Sequence, residues 1–170
     1  RFDYTIDDCL EFHNSIEAIC QPLRHRTDEE RRGALALETL RPWDMGVDVH
    51  GRPPLQPFKQ VQEMVDGCSS IFHEMSDELG NYFDLLDAND CLDLDSRKGK
   101  APGGYQYYLQ KSRLPFIFMN AAGTQRNVET MIHEAGHAFH SFYSGHLDLI
   151  HERDAPIEFA EVASMAMELL

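Results

Sequence analysis

The segment His133-Glu134-Ala135-Gly136-His137 constrains this chain more than any other five residues in it. Its two histidines are four apart, so on an α-helix they share a face, and each can direct a ring nitrogen to one metal ion at about 2.0 to 2.1 Å. Glu134 sits one step around the helix. From there its carboxylate can reach a water at the metal without ligating the ion, which is where metal-assisted hydrolysis places a general base. The flanks Thr130-Met131-Ile132 and Ala138-Phe139 are uncharged, and Ala135-Gly136 are small, which suits a helix that is buried and closely approached.

A hydrolytic zinc site takes three protein ligands and leaves the fourth position to water. The pattern that draws its third ligand from the same segment needs Gly and His at positions 140 and 143, where this chain has His140 and Tyr143. A glutamate from a second helix is the remaining source. The segment Pro156-Ile157-Glu158-Phe159-Ala160-Glu161-Val162-Ala163-Ser164-Met165 has a proline suited to a first helical turn and two candidates, Glu158 and Glu161. These are three apart, so either could face the metal. His140 lies two turns beyond His133 on the same face and is expected to pack near the site rather than to ligate.

The run Thr130 to Tyr143, followed by Phe159-Ala160-Glu161-Val162-Ala163-Ser164, resembles the zinc-binding core of the oligoendopeptidase F and thimet oligopeptidase family, in residues and in separation. Arg97 to Tyr105 and Pro115 to Thr124 are similar to segments that precede the zinc helix in those enzymes, and the likeness is loose before them. The resemblance implies Glu161 as third ligand beside His133 and His137, one Zn2+ per chain, and Glu134 as general base. It also implies a zinc-dependent endopeptidase of short oligopeptides, because the family's deep channel excludes folded proteins. The implied fold is mainly α with a small β-sheet, a zincin-like catalytic segment of a helical clamshell. Family members are several times longer, so residues 1–170 are expected to form part of a single zinc metallopeptidase catalytic domain. The N-terminal lobe and the later helices, which in the family stabilise the tetrahedral intermediate, are expected to lie outside this chain. Metal-bound imidazoles usually donate their other N–H to an oxygen, and Glu129, Ser164 and Glu168 are candidates for that role. The competing expectation is a zinc-binding or helical module without turnover.

Composition narrows the partners. Fifteen Lys and Arg against 29 Asp and Glu leave a net charge of −14, which disfavours nucleic acid and anionic membrane. There is no apolar run of the roughly 18 residues that a spanning helix needs. Cysteines at 9, 20, 68 and 91 form no CxxC pair and sit mostly at apolar positions of helical patterns, which fits reduced thiols and a cytoplasmic location.

Thr5 to Asp8 reads as a capping box opening a helix with an apolar stripe at Ile6, Cys9, Leu10, Ile16 and Ile19. A second helix is expected from near Thr27 to Leu40, ending before Pro42, and Val47 to Phe58, with its prolines, is expected to be irregular. Phe58, Val61, Val65, Cys68 and Phe72 mark a third helix, and Asp77 to Leu86 a fourth. Asp87 to Asp95 suggests a strand or loop. Gly99 to Gly104 is glycine-rich but lacks the Gly-Lys-Ser/Thr ending of a phosphate loop. Pro115 to Asn120 reads as a short apolar strand, either an edge strand that would take extended peptide through its backbone or an ordinary buried strand.

Overall fold

The structure, a computed structural model, describes residues 3–170. The chain divides into two compact units, Arg1–Pro54 and Leu55–Leu170.

In the first unit the expected two helices are one. Helix α1 runs Ile6–Ala34 with Pro22 inside it. The Thr5 and Asp8 capping box is present, the Thr5 amide donating to the Asp8 carboxylate at 2.7 Å and the Asp8 amide to the Thr5 hydroxyl at 3.2 Å. The helix stops short of Leu40 because Ala36 turns into the left-handed region at φ 54°, with the Leu37 amide folding back to the Arg32 carbonyl at 3.1 Å. The Arg31 guanidinium then holds the following segment by donating to the carbonyls of Asp44 and Val47 at 3.3 and 2.6 Å. Asp44 lies within the short 3-10 turn Pro42–Gly46 and Val47 directly follows it. No residue of α1 is buried, and Cys9 and Cys20 are exposed on it, contrary to the apolar positions expected of them.

The second unit holds three helices and a sheet around one core, followed by two further helices. Helices α2 (Val61–Met75) and α3 (Asp77–Ala88) form an antiparallel pair joined at Ser76, whose hydroxyl accepts the Glu78 amide at 3.2 Å. The α2 stripe expected from the sequence is realised: Val65, Cys68 and Phe72 are buried, as is Phe58 ahead of the helix. Burial pushes the Cys68 thiol up to about 11. Strands β1 (Leu92–Asp95), β2 (Tyr105–Leu109) and β3 (Leu114–Ala121) make a sheet in the order β1-β3-β2. The β1 pairing is parallel and the β2 pairing antiparallel.

Of the two readings of Pro115 to Asn120, the ordinary buried strand is the one realised: it is the middle strand and not an edge, because both of its sides are paired. The edge nearest the metal-motif helix is β2, Tyr105-Gln106-Tyr107-Tyr108-Leu109, which shows no regular apolar alternation to read.

The glycine-rich segment before β2 has a structural role. The Lys100 side chain is 1 % exposed and its ammonium donates to the carbonyls of Asp93, Asp95 and Met119 at 2.9, 2.9 and 2.5 Å, tying β1 to β3. Helix α4 (Gln125–Ser144) begins where the Asn127 carboxamide oxygen accepts the amides of Ala122 and Thr124 at 2.8 and 3.0 Å. Met131, Ala135, Ala138 and Phe139 lie on one side of it at helical spacing and are buried in the core, with Phe139 edge-on to Phe72 at 4.9 Å. The one-turn helix α5 (Ile150–Arg153) leads to α6 (Ile157–Leu169), which packs along α4.

Candidate metal centre

Two helices build the site, and a missing side chain lets them meet. A Cβ added at Gly136 would stand 2.7 Å from the Ser164 Cα and 3.1 Å from the Ala163 carbonyl, so only glycine admits α6 at this distance. The smallness of Gly136 thus serves helix contact rather than approach to a metal. Across that contact α6 presents Glu161 to α4. Its carboxylate oxygens lie 3.4 Å from His133 Nε2 and 3.8 Å from His137 Nε2. One ligand atom from each of the three residues falls within 4.8 Å of the others, and Glu158 is not part of that group. Tetrahedral ligands about 2.0 to 2.1 Å from one ion lie about 3.4 Å from each other, so two nitrogens and a carboxylate in this arrangement fit zinc.

The supporting oxygens differ from one candidate to the next. Glu168, the next-to-last residue of α6, places a carboxylate oxygen 2.6 Å from His133 Nδ1, which leaves Nε2 to face Glu161. Ser164 is fully buried and its hydroxyl donates to the Glu161 carbonyl at 3.0 Å and carboxylate at 3.4 Å, so it steadies the carboxylate and not an imidazole. Glu129 is engaged with Arg126 at 3.2 Å. His140 stands outside the metal group and lines the adjoining cavity.

Glu134 is buried, at 7 % exposure. Desolvation raises its carboxyl above the ordinary value, against the pull of His133 and of a hydrogen bond from the Gln106 amide. Burial lowers the His137 imidazole, which favours the neutral form that ligates a metal. Gln106 is the residue that sequence reasoning missed. It sits on β2 with its amide on Glu134, and its side chain donates to the Ser141 hydroxyl at 3.1 Å, which in turn donates to the His137 carbonyl at 3.0 Å. No motif marks it, because its role follows from the pairing of β2 with β3. Beside His137 and β2 lies a cavity of about 430 Å³.

The model of Peptidase family M3 matches residues 1–170. The chain belongs to that family. This M3 chain is 40 % identical over 169 residues to an oligoendopeptidase F homolog of Mycoplasma pneumoniae, covering 99 % of this chain and 26 % of that protein. It is 27 % identical over 156 residues to the chromosomal oligoendopeptidase F of Lactococcus lactis subsp. cremoris, covering 90 % of this chain and 25 % of the relative. Among solved structures, PZ peptidase A with an inhibitor superposes at a TM-score of 0.91 with 30 % identity, over 99 % of this chain and 30 % of that one. The M3 chain therefore spans about a quarter of the length of the curated relatives it matches. Among the described residues no helix is long and apolar enough to cross a membrane.

Proposed function

We propose that the protein carrying this chain is a cytoplasmic zinc-dependent endopeptidase of short oligopeptides, with residues 1–170 forming part of its catalytic domain. His133, His137 and Glu161 would hold one zinc, and Glu134 would be the general base. The observation that carries the reading is the convergence of those three donors within 4.8 Å beside a buried carboxyl. The names of the oligoendopeptidase F relatives support the same class.

Zinc, when bound, supplies a Lewis acid and lowers the pKa of a water toward about 7. The rest is the work of the chain. Glu168 orients the His133 ring through Nδ1, and Ser164 restrains the Glu161 carboxylate. Glu134, its carboxyl raised by burial, is a stronger base than an exposed glutamate, so it takes the proton of the attacking water and passes it to the leaving amine. β2 is the edge strand beside the metal group, where an extended peptide can add through backbone groups other than the Gln106 amide, which Glu134 holds.

The test uses the complete protein. Glu134→Gln keeps the shape and removes the base, so turnover of a quenched fluorogenic peptide should fall by about 10²- to 10⁴-fold while elemental analysis still finds one zinc. His133→Ala should lose the zinc itself. Near wild-type turnover in Glu134→Gln would assign the base elsewhere, and stoichiometric zinc in His133→Ala would remove the metal assignment.

A further inference from the structure

Arg153, at the end of α5, is 9 % exposed and carries a full charge into the wall of the cavity beside His137. Its Nε donates to the Leu147 carbonyl at 2.8 Å, Nη1 to the Gln110 carboxamide oxygen at 2.8 Å, and Nη2 to the Asp148 carbonyl at 3.3 Å. All three acceptors are neutral. Among the described residues no carboxylate forms an ion pair with it, whereas the comparably buried Lys100 ammonium has Asp93 at 3.1 Å. A buried charge without a counter-charge is costly. A guanidinium has five donors, and three are used here, so two remain for a further acceptor.

The place of this charge gives it a meaning. The cavity is bounded by Gln106 and Tyr108 of β2, by His137 and His140 of α4, and by Arg153. Its volume of about 430 Å³ exceeds one side chain and falls within the range of small-ligand sites, roughly 300 to 1,000 Å³. It shares His137 with the metal group and Gln106 with the amide that reaches Glu134. A peptide laid along β2 with its scissile carbonyl at the metal group would place a neighbouring residue in this cavity. Asp154 is the one acid in the wall; it is exposed, and no ion pair or hydrogen bond joins its carboxylate to the guanidinium among the described residues.

We propose that this cavity is a substrate subsite for a carboxylate, with Arg153 as the specificity-determining residue. The carboxylate is that of an acidic side chain next to the scissile bond or that of a peptide C-terminus. A fork of two donors on a carboxylate is bidentate and charge-assisted, and the low-dielectric wall strengthens it. The neutral acceptors hold the guanidinium plane fixed from the loop after α4 and from Gln110, the residue just past β2, so little side-chain freedom is lost when substrate binds.

The inference rests on the peptidase reading, and its test separates the two. The complete protein with Glu134→Gln, loaded with zinc, is titrated calorimetrically with four short peptides that differ at one position: Glu, Gln or Leu beside the cleavage site, and the Leu peptide with an amidated in place of a free C-terminus. Tighter binding of Glu than of Gln by about tenfold, lost in Arg153→Gln and only partly kept in Arg153→Lys, supports the side-chain source. A comparable preference for free acid over amide supports the terminal source. Should Arg153→Gln fail to fold, the Glu-against-Gln and acid-against-amide ratios of the parent still decide. Equal affinities for all four peptides overturn the subsite even where the wild type cleaves them. Discrimination without any hydrolysis by the wild type leaves the subsite standing and overturns the peptidase reading.

Discussion

Asp93 shows how a single side chain links strand order to solution conditions. The Arg97 guanidinium grips it through Nη1 and Nη2 at 2.5 and 2.8 Å, and Lys100 adds a third contact at 3.1 Å. Chiefly through Arg97, its carboxyl is held down to about 2 from the ordinary 3.8. A pKa lower in the folded chain than in the unfolded one means that the fold binds the carboxylate more tightly than the acid. That stabilisation is complete above pH 3.8 and is lost as pH falls through about 2. Asp93→Asn should therefore lower the urea midpoint at neutral pH, with the gap to wild type closing between those two values. A gap of constant size down to pH 2 would mean that the contact does not depend on charge. The buried ammonium of Lys100, at 1 % side-chain exposure, has a larger role: Lys100→Met leaves three strand carbonyls without their donor and should cost about 3 kcal/mol by chemical denaturation.

Between elements, the contact that matters is α4 against α6. Gly136 meets the backbone of α6, and backbone cannot swing aside as the end of a side chain can. Gly136→Ala should push α6 outward at a cost of about 1 to 3 kcal/mol. Because Glu161 and Glu168 both ride on α6, the same variant should weaken zinc binding by about 10- to 100-fold, the range found when a ligand's supporting partners are lost. Competition with a chromogenic chelator measures this, and an unchanged zinc affinity would show that the ligands are placed independently of this contact. Gly80 differs: an added Cβ there would stand 2.3 Å from the His73 imidazole, a side chain packed between α2 and α3.

Across the whole molecule, burial is uneven. The core of the second unit is closed around Phe72, Phe83, Ile117 and Met131, each with 0 % exposure. Helix α6 buries little besides Ser164, while Phe159, Val162 and Leu169 are 69, 59 and 87 % exposed. In the first unit, Ile6, Phe12 and Ile19 are likewise 79, 63 and 65 % exposed. Apolar surface on this scale is uncommon on isolated chains and promotes association. Prepared as these 170 residues alone, the chain should bind an apolar dye and sediment as oligomers despite its net charge of −14. A dye-silent monomer in sedimentation would show that these side chains find cover within the chain.

What the sequence by itself determined is local. The spacing of His133, Glu134 and His137 between uncharged flanks, the capping box at Thr5, the stripe from Phe58 to Phe72 and the turn at Pro42 all act over one or two turns, where the period of the helix makes position legible. Tertiary structure decided what depends on pairing between distant segments. Glu158 and Glu161 are equivalent by spacing, and only the close approach of α6 at Gly136 puts Glu161 in the donor group. The middle place of β3, the edge place of β2 and the role of Gln106 follow from strand order, which no local pattern encodes. The continuity of α1 from Ile6 to Ala34, where two helices are expected from the sequence, is likewise not legible in the local pattern. Arg153, one basic residue among 15, acquires its meaning only when the fold buries it beside His137 without a counter-charge.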